Sequence, residues 1–506
     1  MRIQNSGAVP ILVSIALVFG LILNAEGQSR YDSLITRATD MAYNVRFNEA
    51  ESLFTEATRI SPNRGEGYFG IAQIHLWIYL GTKDKSQYDA FMKWFDLTVS
   101  KEKTALRVNR DDYGATDLLG ETYLLRSLAC ITARSYLDAF WAVKSAHNYF
   151  KKTLRIDPHF YDAYRGIGEI HYFLDFIPGS VRWTIGIFGL EGNKEKGFAE
   201  IRMAYEKGGG DRTRSALALA QIYSNYVAEY DSAIILMRRL VKMYPRNPMF
   251  NYHLAVELIK QRRLGESEKF LDLILREDNP DFTLLNNLSL FLKGDINFKL
   301  NNFQNAIKYN RMFLYRTKDP DYTGIASYRM AISYRALGND TMMVKSLKRA
   351  MEGNQDIYDD SRARERSMLF LKKGISADEL MTLEAKNDVD AGEYERAYSL
   401  LMPGVNKFKD RDARAEALLV LSEAAIHLGK FAEGIRLAGM AGKTNNGDEG
   451  WIAPRSWYFA ALGNYREGDI TAARSLLEKV KDTSEYRSNN LMNAATNRLS
   501  ESLKER

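Results

Sequence analysis

Apolar residues recur three or four positions apart along most of the chain, which is the spacing of one face of an α-helix. One set of four positions keeps a fixed order: a small residue, a large apolar residue one helical turn later, a third packing residue and a proline. These positions are filled by Ala50, Phe54, Ala57 and Pro62, by Ala146, Phe150, Thr153 and Pro158, and by Ala233, Met237, Leu240 and Pro245. Since proline cannot continue a helix, each set predicts a packed helix that ends near its proline.

A second pattern precedes the first and predicts another helix. A large residue is followed directly by a small one and, three positions later, by another large one, as in Leu254-Ala255 with Leu258 and Met330-Ala331 with Tyr334. The two patterns recur together at identical offsets. A bundle of unrelated amphipathic helices has no reason to keep these offsets, so the sequence predicts an array of repeated helix pairs. The low count of 10 prolines in 506 residues also favours long helices.

These residues resemble the tetratricopeptide repeat (TPR), a 34-residue helix-turn-helix unit with the pattern W-x2-L-G-x2-Y, then A-x3-F-x2-A, then P. Residues 31–481 hold about ten or eleven such units, although tryptophan is usually missing at its position. The resemblance implies an all-α fold, a right-handed α-solenoid in which each helix pair covers the apolar face of the pair before it. We expect the solenoid over residues 28–483 and a C-terminal capping helix over residues 484–506.

The resemblance also implies a binding surface, because the first helix of each TPR unit lines the concave groove of the solenoid. Tyrosine and arginine are enriched among the residues that dominate binding energies. The residues expected to face a bound partner are Arg165, Glu169, Tyr172, Tyr252, Tyr328, Arg335 and Tyr458. The implied function is a non-catalytic scaffold that binds an extended peptide or protein segment in its groove.

An apolar segment with several glycines, residues 173–193, interrupts the repeat pattern. Its residues Phe173, Phe176, Pro178, Gly189 and Gly192 are similar to an insertion in the eukaryotic inclusion-body-clearance family of TPR proteins, a likeness that implies no catalytic group. Two interpretations stay open. The segment folds into the groove as a plug, or it presents a docking patch for a partner or a membrane through Phe176, Trp183, Ile185 and Phe188. The second interpretation gives an alternative function, an outer-membrane or envelope assembly factor.

The N-terminus has the pattern of an export signal. Arg2 precedes an apolar run over residues 8–23, and Ala25-Glu26-Gly27 follows as a small-x-small cleavage pattern. This layout is typical of a secretory signal peptide that is cleaved near Gly27/Gln28. The alternative is an uncleaved membrane anchor, because the run approaches the length that spans a bilayer. We expect a bacterial exported protein, periplasmic or associated with the cell envelope after removal of residues 1–27.

Composition and motifs give no support to an enzyme, a metal site or a nucleic-acid binder. The 70 basic and 64 acidic residues leave a formal net charge of +6, and the basic clusters 238–239, 260–263 and 345–349 have the spacing of solvated helix faces. The six histidines lack the spacing of a zinc site. Cys130, the single cysteine, lies in an apolar segment without an adjacent base and is expected in the core. We therefore expect no catalytic residue, metal or cofactor, and a protein or peptide as the partner.

Overall fold

A computed structural model of the chain describes residues 29–177, 186–210, 212–227, 229–444, 450–483 and 490–504. Within these ranges the regular secondary structure is helical, with α-helices, two short 3₁₀ segments (Pro280–Phe282 and Val405–Lys407) and one π-helical turn (Tyr223–Val227). The predicted signal peptide, Pro178, Trp183 and Ile185 lie outside the described residues. The predicted all-α fold class is therefore confirmed for the part of the chain that the structure describes.

The α-helices follow one another with short connections. The first twelve are α1 (29–43), α2 (Phe47–Ile60), α3 (Glu66–Thr82), α4 (Lys85–Val108), α5 (Tyr113–Thr132), α6 (Tyr136–Ile156), α7 (Ala163–Leu174), α8 (Lys194–Lys207), α9 (Arg212–Ile222), α10 (Tyr230–Met243), α11 (Pro248–Lys260) and α12 (Leu264–Glu277). The others are α13 (Thr283–Lys299), α14 (Phe303–Arg316), α15 (Thr323–Ala336), α16 (Asp340–Ala350), α17 (Tyr358–Lys373), α18 (Ala377–Ala391), α19 (Tyr394–Leu401), α20 (Arg411–His427), α21 (Phe431–Thr444), α22 (Ile452–Glu467), α23 (Ile470–Lys481) and α24 (Asn490–Ser502).

The chain separates into two compact units. Unit 1 contains the described residues up to Leu219 together with Lys242–Asn247 and Pro280–Phe282. Unit 2 contains Ala220–Val241, Pro248–Asn279 and the described residues from Thr283 onward. Each unit has its own buried apolar clusters, such as the one around Phe150 and Ile167 in unit 1 and the one around Phe313 and Leu347 in unit 2.

The turn inside a helix pair has one conformation that recurs along the chain. In the turn between α18 and α19, Gly392 has a positive φ of 86°, and the Glu393 N–H donates to the Asp388 carbonyl at 2.8 Å. This is the bond pattern of a Schellman cap, which satisfies the last carbonyls of the first helix and reverses the chain. The same positive-φ position is occupied by Val45, Arg134, Arg262, Asn301, Gly338, Gly429 and Gly468. Eight copies of one turn support the predicted array of TPR-like helix pairs.

Small residues let the helices of neighbouring pairs approach closely, as the sequence pattern predicted. The Phe150 ring on α6 lies between α5 and α7, against Gly120 and Gly166. A Cβ atom on Gly166 would lie 2.2 Å from Phe150 Cζ, and one on Gly120 would lie 2.7 Å from Phe150 Cδ1. Because real contacts are never this short, both positions require glycine. The large-small signature therefore marks the close contacts that stack the array.

The segment predicted to interrupt the repeat pattern lies between two helices. Residues 175–193 separate α7 from α8, and Asn193 caps α8 by accepting the Lys196 N–H at 2.9 Å. Residues 85–108 form the long helix α4. At the C-terminus, Leu499 and Leu503 pack with Ala473 and Leu477 of α23, so the last described helix covers apolar surface of the final pair.

Three further findings apply to the described residues alone. Cys130 is buried, as predicted. In the described ranges no group of three His, Cys, Asp or Glu side chains has a geometry that would hold a metal ion. Within those same ranges, every helix is too short or too polar to span a bilayer.

Candidate functional site

The predicted groove residues of unit 1 form a buried ion network. The Arg165 guanidinium donates through Nη1 to Glu169 Oε1 at 2.7 Å and through Nη2 to Glu121, and Arg214 Nη1 donates to Glu121 Oε2 at 2.5 Å. Burial, together with the nearby Glu121 charge, holds the pKa of the Asp117 carboxyl well above its usual range. Asp117 is thus a third carboxyl beside the two arginines, together with Glu121 and Glu169. Arg165 and Glu169 are thus satisfied by this chain's own groups.

The third predicted residue of unit 1, Tyr172, is buried. Its ring lies 5.5 Å from the Phe173 ring and 5.4 Å from the Phe176 ring, measured between centroids. Tyr172 therefore supports the start of the 173–193 segment.

Three of the four residues predicted to bind a partner in unit 2 have structural contacts. Tyr328 is buried in a core cluster, where its ring stacks on Phe370 with an interplanar angle of 10°. Tyr252 is half-buried against another core cluster, and its burial raises the pKa of the phenol. Arg335 donates through Nε to the Ile375 carbonyl at 3.0 Å and through Nη1 to Asp340 at 3.1 Å.

The fourth residue, Tyr458 on α22, lines a cavity of about 680 Å³ that lies entirely within unit 2. We call it the unit 2 cavity. Its walls are helices that are distant in sequence: α10, α11 with its following turn, α18, α20, α22 and α24. The charged and aromatic lining residues are Lys260, Arg262, Lys386, Arg455, Arg466, Arg498, Glu423, His427, Tyr230, Tyr458, Phe459 and Tyr465.

Cations outnumber carboxylates at this cavity. Six lining side chains are lysine or arginine, and among the described lining residues Glu423 is the one carboxylate. Two further carboxylates pair with lining cations: Glu257 Oε1 lies 3.5 Å from Lys260 Nζ, and Asp390 accepts a hydrogen bond from Lys386. Among the described residues, six cations and three carboxylates therefore lie at or directly beside the cavity wall. A concave site with an excess of one charge attracts ligands of the opposite sign.

The groups in the cavity wall keep this charge near neutral pH. Burial favours the neutral form of Asp390, but Lys386 and Lys299 outweigh it and hold the pKa of that carboxyl below its usual range. Burial and the nearby Glu423 charge raise the pKa of Tyr458 to about 12, so this tyrosine remains a neutral hydrogen-bonding phenol. Burial, followed by the charge of Arg262, lowers the pKa of His427. Burial also lowers the pKa of the Lys260 ammonium, against the opposite effect of Glu257. The four lining arginines therefore supply the fixed positive charge of the site, beside the neutral Tyr458 ring.

Among the residues predicted to bind a partner, Tyr458 lines this cavity, whereas its lysine and arginine residues were not predicted as site residues. Lys260 and Arg262 belong to the basic cluster 260–263, which was expected to be a solvated helix face. Arg262 instead lines the cavity. It lies in the turn after α11 with a positive φ of 60°, and its side chain reaches Glu423 on α20. No signal in the sequence places residue 262 beside residues 394 and 423, since that contact depends on how unit 2 curves.

The predicted docking patch is partly described. Phe176 and Phe188 are exposed, whereas Trp183 and Ile185 lie outside the described residues. The Phe188 ring contacts the Phe140 and Trp141 rings at centroid distances of 5.4 and 5.5 Å. Phe188 thereby joins the exposed apolar residues at the start of α6. We call Tyr136, Leu137, Trp141, Ile187 and Phe188 the tip patch; Leu137 and Ile187 are 71% and 70% exposed.

Comparisons with known proteins return similar structures only. No protein-family model matches the sequence, and no curated protein matches it. Among solved structures, the TPR domain of P58(IPK) is 13% identical over 94% of this chain and 99% of its own, with a TM-score of 0.21. Yeast Tom70 is 13% identical over 94% and 96%, with a TM-score of 0.26. The TPR2AB domain of yeast Sti1, in a complex with pHSP90, is 12% identical over 58% and 100%, with a TM-score of 0.22. These TM-scores are too low to support an inference about the partners of this chain.

Proposed function

We propose that the chain is a non-catalytic, exported scaffold of the cell envelope, and that unit 2 binds an acidic segment of a partner protein in its cavity. The observation that supports the ligand class is the set of six cations and four aromatic residues around one concave site. Pockets that combine apolar walls with a few oriented polar groups are the usual binding sites of folded proteins. Export rests on the signal-peptide pattern of residues 1–27.

An acidic peptide suits this cavity better than a compact metabolite does. Arginine side chains bind carboxylates through charge-assisted hydrogen bonds, often with two parallel bonds. The cations lie on five different elements, so that one small anion cannot reach all of them. A flexible chain with several carboxylates can contact several cations while its aliphatic carbons rest on Tyr458 and Phe459.

The test is a titration of fluorescein-labelled hexaglutamate with the full chain, in which fluorescence anisotropy measures the bound fraction of the peptide. Hexaglutamine and hexalysine with the same label are the peptide controls. We expect hexaglutamate alone to bind, with an affinity that falls as NaCl is added, because salt screens exposed charges. Arg498→Gln should weaken binding, whereas Arg316→Gln, an exposed arginine of unit 2 outside the cavity, should not. Equal binding of hexaglutamate and hexaglutamine would reject the proposed ligand class.

The tip patch supports a second candidate function, contact with a membrane surface. Tyrosine, tryptophan and phenylalanine beside a lysine are typical of segments at the bilayer interface. Lys144 donates to the Phe188 carbonyl and lies 5.9 Å from the Phe188 ring centroid, so the cation belongs to the same surface. The patch thus fits the envelope assembly role as well as it fits a protein partner.

Flotation separates this candidate from the scaffold function. The full chain is mixed with vesicles of phosphatidylethanolamine and phosphatidylglycerol and centrifuged through a sucrose gradient. Membrane contact predicts that the chain floats and that Leu137→Asp with Trp141→Asp abolishes flotation. Tyr315→Asp is the matched control, since Tyr315 is 90% exposed and lies in unit 2. A wild-type chain that stays at the bottom of the gradient removes this candidate.

A further inference from the structure

Arg262 connects helix pairs of unit 2 that are far apart in the sequence. It follows α11 in the turn to α12, and its side chain reaches α19 and α20. Nη2 donates to Glu423 Oε1 at 2.6 Å, across a separation of 161 residues, and Nη1 donates to the Tyr394 hydroxyl. The guanidinium carbon lies 5.1 Å from the Tyr394 ring centroid. Arg262 is therefore held in a defined orientation at the edge of the unit 2 cavity.

Glu423 gives this arginine a carboxylate partner inside the cavity. Both side chains line the cavity, and they are 25% and 11% exposed for Arg262 and Glu423. The Glu423 carboxylate thus occupies the place beside Arg262 that a carboxylate of a bound acidic peptide requires. Other residues near this pair are Tyr394 and His427, whose Nε2 lies 3.5 Å from Arg262 Nη1. Asp390 is close enough to Arg262 to interact with its charge, and Tyr458 interacts with both members of the pair.

We propose that Arg262 is the residue that receives a carboxylate of the ligand and that Glu423 holds this place in the free protein as an internal competitor. This inference rests on the proposed binding of an acidic segment. On binding, a ligand carboxylate replaces Glu423 at Nη2, while the contacts of Arg262 with Tyr394 keep the guanidinium oriented. Glu423 acts as an autoinhibitory contact that lowers the affinity of the cavity for acidic peptides.

The exchange conserves the hydrogen bond to Arg262 but takes this partner away from the Glu423 carboxylate, which is 11% exposed, and this cost lowers the affinity of the cavity for the ligand. One charge-assisted hydrogen bond to Arg262 breaks and another of the same kind forms. The ligand must first displace a partner that is already in place, so the observed affinity is reduced by the free energy of the Arg262–Glu423 contact. Removing the Glu423 charge abolishes this competition and leaves Arg262 and its contact with Tyr394 unchanged.

The experiment compares the affinity for fluorescein-labelled hexaglutamate of the full chain, of Glu423→Gln and of a control variant. Glu416→Gln is the matched control because Glu416 lies on the same helix and pairs with Arg366 at 3.0 Å, outside the cavity. We expect Glu423→Gln to bind about five- to tenfold more tightly than the wild type, a typical magnitude for the loss of one coupled contact. Glu416→Gln should bind like the wild type, and Arg262→Gln should bind weakly whether or not Glu423 is changed.

Each outcome decides between the two proposals. Tighter binding by Glu423→Gln alone supports the internal competitor. If the wild type binds hexaglutamate and Glu423→Gln binds with equal or lower affinity, the competitor is rejected and the acidic ligand stands. If both Glu423→Gln and Glu416→Gln bind more tightly, the effect is one of net charge and the competitor is again rejected. If neither the wild type nor Glu423→Gln binds, both proposals fail.

Discussion

The charged centre of unit 1 and the charged cavity of unit 2 differ in where their cations lie. In unit 1, Arg165 and Arg214 face Glu121 and Glu169, and Arg165 is buried. In unit 2, six cations line an open cavity, and the carboxylates described at or beside its wall are Glu423, Glu257 and Asp390. Lysine and arginine side chains in this fold therefore have different surroundings. Those enclosed with carboxylates, as in unit 1, stabilise the fold, whereas we propose that those around the open cavity contact a ligand.

The largest effect that tests this comparison is the loss of a buried cation in unit 1. Arg165→Met leaves Glu169 without its arginine and Glu121 with Arg214 alone. Breaking a buried ion pair on one side costs about 3 to 5 kcal/mol, because the remaining carboxylate stays desolvated. We expect a lower midpoint of urea unfolding for this variant, measured by far-ultraviolet circular dichroism. The control is Arg466→Met, an exposed cation of unit 2, and equal midpoints for both variants would contradict the comparison.

Removing the charge of a buried carboxylate that has no ion-pair partner among the described residues should stabilise the fold, whereas removing the charge of Arg165 should destabilise it. Glu102 in unit 1 is buried, and its carboxyl accepts a hydrogen bond from the Gly65 N–H at 2.7 Å. Burial, with a smaller contribution from Glu66, raises the pKa of Glu102 to about 7. A carboxyl whose folded pKa lies above its unfolded value of 4.5 contributes stability at low pH that is lost as the pH rises through 7.

Glu102→Gln should therefore stabilise unit 1 at pH 8 by about 2 kcal/mol and have little effect at pH 4.5, where the wild-type carboxyl is already protonated. The glutamine carbonyl can still accept the Gly65 N–H, so the loop geometry is preserved. Thermal unfolding at the two pH values measures the difference. Glu66→Gln is the contrasting variant, since Arg64 holds the pKa of Glu66 below its usual range against the effect of burial, and its loss should destabilise at pH 8. A pH-independent effect of Glu102→Gln would show that its charge is not involved.

The sequence predicts the fold better than it predicts the site, and the reason is physical. Gly120 stands at the small position of the large-small pattern and Phe150 at the large apolar position of the helix that follows, so the repeat pattern predicts their contact. Gly166, which contacts the same ring, lies outside the pattern. The ion-pair partners of Arg165 and Arg262 lie on other helix pairs, and the spacing of the repeat does not predict which side chains meet between pairs. The sequence predicts Arg165 at the ligand surface, and in the structure Arg165 forms an ion pair with Glu121. It predicts Arg262 on a solvated helix face, and in the structure Arg262 lines the cavity. The repeat register predicts Tyr458 at the groove, and this residue lines the cavity; its role in binding stays a prediction.

The smallest effect on stability is expected for a substitution of Arg466, a cation of the unit 2 cavity. This substitution tests whether the cavity cations differ from the buried cations of unit 1. Arg466 is exposed at the cavity, near the end of α22, so Arg466→Gln should change the free energy of unfolding by no more than about 0.5 kcal/mol. The same change removes one of the excess cations, and its effect on hexaglutamate should be a severalfold loss of affinity at low salt that disappears at high salt. Anisotropy titrations at two NaCl concentrations measure this difference, with Arg316→Gln as the control. If Arg466→Gln costs as much stability as Arg165→Met and leaves hexaglutamate binding unchanged, the cations of unit 2 serve the fold in the same way as those of unit 1.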